Sequence, residues 1–334
     1  MSGEHSLGRT HIHHEWHSLR APALVIEPGD IVHFDLSMTG AGQIAENSSV
    51  DEIRWNFETM YNLAGPIFIE GAEEGDTLEI TILSLSPGPW GWTMIIPGRG
   101  LLPDDFCDPY LRIFDLRDGR KTQLTSGIEL PIRPFLGTMG VAPNEPEKLA
   151  VFPPHKGGGN IDTRHLIAGS TLWLPVWVEG GLFSCGDPHA AQGDGEVCVS
   201  AIECPMKASL RFGLQKRRSP GPSYRTPQVL ADAGACYGTM GIHEDLMEGA
   251  RIAVRNMITW LGDEHGLRRE DAYILCSLAG DLRIHEVVDG GVWNVGFMLP
   301  LGVFAEHSAA SADGCYATQR ERKCDDRKAQ SPSS

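Results

Sequence analysis

Apolar and polar residues alternate in the amino-terminal half of the chain in a way that predicts β-strands. In residues 77–83 every second side chain is apolar, so one face of a strand there should be buried. Gly75-Asp76 precedes this run, and Pro28-Gly29-Asp30 separates two β-rich runs within residues 22–36. Glycine and aspartate at such positions are typical of tight turns. We therefore predict that both turns close hairpins of a β-sandwich.

Buried strands follow in the middle of the chain. Residues 172–178 are almost all apolar, as in a strand that is covered on both faces. Residues 197–214 predict one or two further strands.

The helical pattern comes late in the sequence. Between positions 243 and 261 apolar residues recur at spacings of three and four, which predicts an amphipathic helix with Gly262 as its stop. A second, shorter helix is predicted at residues 269–278, and a final strand at residues 282–288.

Strands followed by helices indicate an α+β, mainly β fold, with an antiparallel β-sandwich core and a carboxyl-terminal helical, α/β portion. We expect residues 1–315 to form one unit. Its β-rich part should span residues 11–215 and its α/β portion residues 228–305. Residues 318–334 are polar and contain proline and serine, which predicts a disordered tail.

Composition and charge exclude several functions. The 334 residues are 41% hydrophobic and 22% charged, as in soluble globular proteins. A net charge of −16 repels phosphate backbones, so we expect no nucleic-acid partner. The histidine-rich start is not a signal peptide, and no segment approaches the roughly 20 apolar residues of a membrane span. We therefore expect a cytoplasmic protein with no membrane partner.

The densest cluster of chemistry-bearing residues is the segment 183–197. It holds the carboxylates Asp187, Asp194 and Glu196 together with His189, among several glycines. Asp187 and His189 are two positions apart, so in an extended segment both side chains point the same way. That pairing suits metal ligation or a carboxylate-oriented general base. The alternative is a turn rich in glycine and aspartate whose side chains cap its own backbone.

Three other features have similar alternatives. Asn160 and Asp162 lie in a glycine-rich loop and suit a metal or a substrate amide, or else an Asx-turn. The four histidines of residues 11–17 could bind a metal or belong to a solvated terminus. Cys185 is either a nucleophile or, as is usual for a lone cysteine after an apolar strand, part of the packing.

Four motifs, in order along the chain, resemble those of the acetamidase/formamidase family, namely residues 65–72, 134–143, 158–162 and 186–196. The resemblance extends over about residues 11–305. The chain departs from the family pattern at Cys185, in residues 43–62 and in its polar tail. Because residues 43–62 could shape a pocket, their variation leaves the identity of the substrate open.

The resemblance implies a mainly β fold with a sandwich core, and an amidase that hydrolyses a short aliphatic amide such as formamide or acetamide to carboxylate and ammonia. It also implies homo-oligomers and a divalent cation, for which zinc and calcium are the candidates. We hypothesise that this cation activates water for attack on the amide. In the same hypothesis, backbone N–H groups around Gly193 to Gly195 stabilise the oxyanion. Transferred by position, the resemblance points to Asp187, His189, Gln192, Asp194, Glu196, Asn160 and Asp162, without dividing them between ligands and acid or base. Our hypothesis assigns His189, Asp194 and Glu196 to catalysis, Asn160, Gln192 and Gly193 to substrate binding, and Asp187, His189 and Asp162 to the metal.

Other functions stay open on the sequence alone. The same reaction could proceed without a metal, with a carboxylate that activates water or with Cys185 attacking the amide directly. The chain could also hydrolyse another small carbon–nitrogen compound, urea-like or guanidine-like, or bind small amides without catalysis. Its acidic surface favours neutral or cationic small molecules over anionic ones.

Overall fold

A computed structural model describes residues 2–152, 155, 157–164, 166–193, 196–216, 223–225, 236–243, 245–286 and 293–304. Asp194 and the predicted tail lie outside the described residues.

The helices are α1 (Leu246–His265) and α2 (Arg269–Ala279), with 3₁₀ turns at Val50–Glu52, Phe57–Thr59 and Leu301–Val303. The strands are β1 (Glu4–Leu7), β2 (Ile12–His13), β3 (Glu15–Trp16), β4 (Leu24–Ile26), β5 (Ile31–Leu36), β6 (Leu63–Ile69), β7 (Thr77–Pro87), β8 (Trp90–Ile95), β9 (Tyr110–Asp115), β10 (Lys121–Thr125), β11 (Ile128–Pro131), β12 (Phe135–Val141), β13 (Leu149–Ala150), β14 (Gly158–Asn160), β15 (Thr171–Pro175), β16 (Phe183–His189), β17 (Met206–Gln215), β18 (Ser223–Arg225), β19 (Cys236–His243), β20 (Asp281–Glu286) and β21 (Trp293–Pro300).

Two six-stranded sheets form the main body. One has the order β1-β5-β17-β7-β15-β18, and the other has the order β14-β12-β16-β6-β2 with β4 also paired to β6. Neighbouring strands are antiparallel except for the pairs β1–β5 and β4–β6. Apolar side chains of both sheets share one core, in which the rings of Phe183 and Phe212 meet edge to face with centroids 5.1 Å apart. The predicted sandwich core is confirmed.

The two predicted hairpins are instead corners between the sheets, so that prediction was wrong. The strands before each turn, β4 and β6, belong to one sheet, and the strands after it, β5 and β7, belong to the other. The turn chemistry itself is as predicted, because Asp30 accepts a hydrogen bond from the Glu27 N–H at 3.1 Å and Asp76 accepts one from the Glu73 N–H at 2.9 Å. At each corner, the strand before the turn and the strand after it lie in different sheets, and both bury their apolar side chains in the core between the sheets. These two strands therefore do not pair with each other.

The carboxyl-terminal portion packs α1 and α2 against the three-stranded sheet β19-β21-β20. Both predicted helices are confirmed, but α1 continues through Gly262 and ends at His265. Gly266 is the residue that stops it, because its φ of 63° is left-handed and its N–H bonds back to the Gly262 carbonyl. The last strand, β21, was missed. No helix of the described residues is long and apolar enough to cross a membrane.

Candidate active site

Four carboxylates lie around the imidazole ring of His189, at the end of β16. Its Nε2 is 3.3 Å from Asp187 Oδ1 and 3.2 Å from Glu203 Oε2. Its Nδ1 is 3.7 Å from Asp162 Oδ1. Glu196 is the fourth, since one of its carboxylate oxygens lies within 4.8 Å of ligand atoms of both Asp162 and His189. The His189 side chain is only 1% exposed, so these charges interact away from bulk water.

Separate elements bring these residues together. Asp187 and His189 come from β16, which pairs with β12, and Asp162 follows the glycine-rich β14 on the other side of β12. Glu203 arrives from the irregular segment before β17, where its backbone bridges to both Trp92 and His189. The site is therefore held by the sheet whose strands carry parts of all four family-like motifs.

The backbone is strained at three of the four acidic residues. Asp162, Asp187 and Glu196 have φ values of 41°, 53° and 37°. They are three of the five non-glycine residues with positive φ among the described part of the chain. Residues rarely adopt this conformation, and it clusters at functional sites where the surroundings enforce it. All three of these carboxylates lie around the His189 ring.

Gln192 fixes which nitrogen of His189 carries the proton. The Gln192 Nε2 donates to the Asp162 carbonyl at 3.0 Å, so its Oε1 faces His189 Nδ1 at 3.0 Å and must accept from it. A proton on Nδ1 leaves the lone pair of Nε2 directed at the oxygens of Asp187 and Glu203. Lone pairs facing each other in a buried site require a cation between them, either a second ring proton or a metal ion.

Burial and mutual charge shift the pKa values of the whole group. Burial raises the pKa of Asp162 to about 7, helped by the charge of Asp187. Burial and neighbouring carboxylates also raise the pKa of Glu196, to well above its ordinary value, and that of Glu203. Burial alone would lower the pKa of His189, but the charges of Glu203 and Asp187 outweigh it and raise that pKa well above its ordinary value. The site therefore retains protons near neutral pH.

Asp187 keeps its negative charge. Burial opposes ionisation, but the His189 ring and a hydrogen bond from the Thr39 hydroxyl lower the pKa of this carboxyl below its ordinary value. The Thr138 hydroxyl lies 3.5 Å from the second oxygen of this carboxylate.

The residues fit a divalent cation. His189 Nε2, Glu203 Oε2 and Asp162 Oδ1 are buried atoms without a hydrogen-bond partner among the described residues. One ligand atom each of Asp187, His189 and Glu203 lie within 4.8 Å of one another. Imidazole nitrogen and carboxylate oxygen are both ligand types that zinc takes in proteins.

A cavity of about 700 Å³ opens onto this group. Its inner wall includes Asp162, Asp187, Glu196 and Glu203. Its other walls are mainly apolar and aromatic, and come from Met60, Tyr61, Trp92, Ile96, Leu101, Val151, Phe152 and Met247 among others. The segment 43–62, which could shape a pocket, contributes Phe57, Glu58, Met60 and Tyr61 to the lining of this cavity.

The structure brings some of the predicted site residues together and places others away from the cavity. Asp162, Asp187, His189 and Glu196 come together, and Asn160 lines the cavity with its Oδ1 accepting from the Thr138 hydroxyl at 2.5 Å. Gln192 is not among the residues that line the cavity and contacts His189 instead.

Gly193 requires a correction. Its backbone N–H donates to the Ser277 carbonyl at 2.6 Å, so it is not free to stabilise an oxyanion. A Cβ at Gly193 would lie 1.8 Å from the Gly280 carbonyl oxygen, which explains the glycine by close packing against the end of α2.

Glu203 and Gly137 are site residues that sequence reasoning missed. Glu203 lies outside the recognised motifs, within a segment predicted to be strand, and only the fold brings it to His189. Gly137 belongs to the motif 134–143, so the motif marked its importance without giving its role. A Cβ there would lie within 3.0 Å of atoms of Asp162, Asp187 and His189.

Cys185, the alternative nucleophile, and His13, one of the alternative metal ligands, are packed away from the cavity, whereas His14 lines it. Cys185 is fully buried in the main core, burial raises the pKa of its thiol, and it is not among the cavity residues. His13 is buried and hydrogen-bonded to the Ser184 hydroxyl at 2.8 Å and to the Glu15 carbonyl. The amino-terminal histidines do not occur in the metal-capable clusters of the described chain, and strands β2 and β3 show that this region is not a solvated tail.

Residues 4–150 and 145–306 match the sequence model of the Acetamidase/Formamidase family, so the chain belongs to this family. It is 28% identical over 247 residues to an acetamidase from Mycolicibacterium smegmatis, and the match covers 55% of this chain. It covers 61% of that protein, so the chain spans about three fifths of the length of this curated relative.

Solved structures share the fold. A gamma lactamase from Delftia acidovorans superposes with a TM-score of 0.82 at 23% identity, over 91% of this chain and 92% of that one. A predicted acetamidase/formamidase from Thermoanaerobacter tengcongensis is 31% identical, with a TM-score of 0.65 over 90% of this chain and 96% of that one. The mainly β architecture is therefore that of the family.

Proposed function

We propose that the chain hydrolyses a linear primary amide to a carboxylate and ammonia. The observation that carries this proposal is the buried ring of His189, whose unpartnered Nε2 faces Asp187 and Glu203 at the inner end of a cavity. Formamide and acetamide are the amides that the names of the family and its members suggest.

In this proposal Asp187, His189 and Glu203 hold a divalent cation. When bound, the cation supplies Lewis-acid chemistry, which means that it draws electrons from an amide carbonyl and acidifies water. Gln192 keeps the His189 ring in the tautomer that offers Nε2. Asp162 was predicted as a ligand, but its Oδ1 lies nearer Nδ1, on the side that Gln192 already occupies.

Asp162 and Glu196 are assigned to proton transfer. Both line the cavity, their oxygens lie within 4.8 Å of each other, and burial raises the pKa of both, so the pair can hold a shared proton. The pair takes one proton from water as the water oxygen bonds to the carbonyl carbon. It returns that proton to the nitrogen as the carbon–nitrogen bond breaks, which releases ammonia and the acid.

The proposal includes a cytoplasmic homo-oligomer that acts on a small molecule. The family resemblance supports the oligomer, and the net charge of −16 supports the lack of a nucleic-acid partner. Light scattering of the purified chain would test the oligomer, since a monomer at micromolar concentration contradicts it.

Ammonia release from formamide, acetamide and urea, before and after chelation, tests the reaction. We expect release from the two amides, loss after chelation, and recovery with one added divalent metal. Glu203→Gln should lower kcat/KM by about 10²-fold and reduce bound metal, because it removes one charged ligand. Glu70→Gln is the matched control, since Glu70 is exposed and outside the cavity.

The outcomes separate the parts of the proposal. No ammonia from either amide would reject amide hydrolysis of short substrates, and release from urea alone would move the reaction to another carbon–nitrogen bond. Turnover that chelation leaves unchanged in metal-free protein would reject the cation and keep the carboxylate pair.

A further inference from the structure

The cavity is much larger than a short amide requires. Acetamide has four non-hydrogen atoms, whereas a cavity of about 700 Å³ lies in the range of about 300–1,000 Å³ that encloses drug-sized ligands. At about 30 Å³ per liquid water molecule, the cavity has room for on the order of twenty waters. A bound acetamide would therefore leave most of the space filled with water, against walls that are largely apolar.

Exposed apolar side chains are concentrated at this cavity. Phe57, Phe152 and Met247 are three of the seven exposed large hydrophobic residues of the described chain, with exposures of 48%, 47% and 52%, and all three line it. They come from the 3₁₀ turn Phe57–Thr59, from the segment after β13 and from the start of α1, so a common sequence pattern does not place them together. Exposed apolar groups that converge on one concave surface indicate a ligand that covers them.

An arginine holds two of these rings in place. The guanidinium of Arg99 lies over the Phe57 ring at 4.8 Å and over the Phe152 ring at 5.3 Å. Cation–π contacts of this kind fix ring positions at an exposed site. Both rings are thus ordered before any ligand binds, which lowers the entropic cost of binding an apolar group against them.

Trp92 adds an unsatisfied donor to the same cavity. This residue is 1% exposed, lines the cavity, and has an indole N–H without a hydrogen-bond partner among the described residues. A buried donor without a partner is costly, and a substrate carbonyl or other acceptor would relieve that cost. The cavity thus combines an apolar surface with a few polar groups, as small-molecule sites do.

We infer that the preferred substrate is a primary amide with a large apolar acyl group, with arylacetamides as its best representatives. The inference rests on the proposed amide hydrolysis. The carboxamide binds at the inner end beside Glu196 and Glu203, and the aryl group covers Phe57, Phe152 and Met247. Remote contacts of this kind hold the reacting group in position and raise kcat/KM.

The test compares kcat/KM for formamide, acetamide, hexanamide and phenylacetamide by ammonia release. We expect phenylacetamide to exceed acetamide at least tenfold, mainly through a lower KM, because even single methylene contacts in an apolar pocket change kcat/KM by about tenfold or more. Phe152→Ala and Met247→Ala should each lower the ratio of phenylacetamide to acetamide efficiency about tenfold.

Matched control variants test whether a change in the ratio of phenylacetamide to acetamide efficiency comes from the cavity. Leu246→Ala removes the exposed neighbour of Met247 on the same helix, and Leu19→Ala removes a side chain that is 83% exposed. Neither lines the cavity, so the ratio should not change. Equal or better use of acetamide or formamide by the wild type would overturn the inference and leave amide hydrolysis standing. Failure to hydrolyse any of the four amides would overturn amide hydrolysis and this inference with it.

Discussion

Gly137 gives the sharpest test of the site geometry. A Cβ at this position would lie 2.5 Å from Asp162 Oδ1, 2.7 Å from His189 Cε1 and 2.8 Å from Asp187 Oδ2. The backbone at Gly137 is not in the left-handed region, so Gly137→Ala introduces no backbone strain. The methyl group therefore acts only by displacing the three site residues.

The magnitude follows from those distances. Ordinary van der Waals contact begins at 3.4 Å, so the displaced atoms must move by roughly 0.6 to 0.9 Å. A misplacement of about 1 Å at a reacting centre can cost about 10²-fold, so kcat/KM for acetamide or phenylacetamide should fall by that order. Overpacking costs about 1–3 kcal/mol, and the reduced freedom of the unfolded chain offsets about 0.4–1 kcal/mol of this. The variant should therefore still fold.

Steady-state kinetics and urea unfolding of the same preparation provide the assay. Gly8→Ala is the matched control, because Gly8 is exposed, a Cβ there meets nothing within 4 Å, and activity should be unchanged. A folded Gly137→Ala variant with activity within about threefold of wild type would refute the proposed arrangement of Asp162, Asp187 and His189.

Three further predictions follow from the structure. Gln192→Leu should weaken cation binding and lower kcat, each about 10- to 100-fold, because His189 is then no longer held in the tautomer with its proton on Nδ1. Equilibrium dialysis measures the binding, and an unchanged affinity would contradict the prediction. Cys185→Ala should keep turnover within about threefold while lowering the free energy of unfolding by about 1 kcal/mol, and lost turnover in a folded variant would instead favour the thiol as nucleophile. Burial lowers the pKa of His13 from 6.5 to about 4, so this group binds more protons in the unfolded chain, and its contribution to stability is full above pH 6.5 and is lost as pH falls to about 4. The difference in unfolding free energy between wild type and His13→Gln should shrink by about 3 kcal/mol across that window, whereas parallel pH curves would show that His13 is not buried in its neutral form.

The sequence predicted contacts between residues close together in the chain, but it did not predict which strands pair with each other. The turns at Asp30 and Asp76 were identified because aspartate caps its own turn, a contact between residues three apart. Whether the flanking strands pair with each other or enter opposite sheets depends on distant strands, which the turn does not specify. The helix end shows the same limit, since only the backbone angle distinguishes Gly266 from Gly262 as the stop.

The candidate site likewise contains local contacts that the sequence predicted and distant contacts that it did not. Asp187 and His189 were expected to lie together from their spacing, and their side chains do meet at 3.3 Å in β16, although the left-handed φ of Asp187 interrupts the extended backbone. Glu203 completes the set around the Nε2 of His189, yet it lies outside the motifs and approaches through a backbone bridge that depends on the whole fold. Thr39, whose hydroxyl supports Asp187, comes from 148 positions away. Such partners leave no periodic or local pattern in the sequence.

Close packing explains the glycines of the motifs. It replaces the alternative of a turn whose side chains cap its own backbone. Gly186 lies within β16, and a Cβ there would be 2.6 Å from the Asn62 carbonyl oxygen on the neighbouring strand side. Gly137 and Gly193 are likewise confined, one by the site carboxylates and the other by Gly280. Close backbone packing at these glycines and the left-handed angles of Asp162, Asp187 and Glu196 occur together around the His189 ring, which Glu203 reaches without a positive φ. The glycine-rich motifs and the strained aspartates are therefore two consequences of one requirement, which is to bring several acidic groups to a single buried ring.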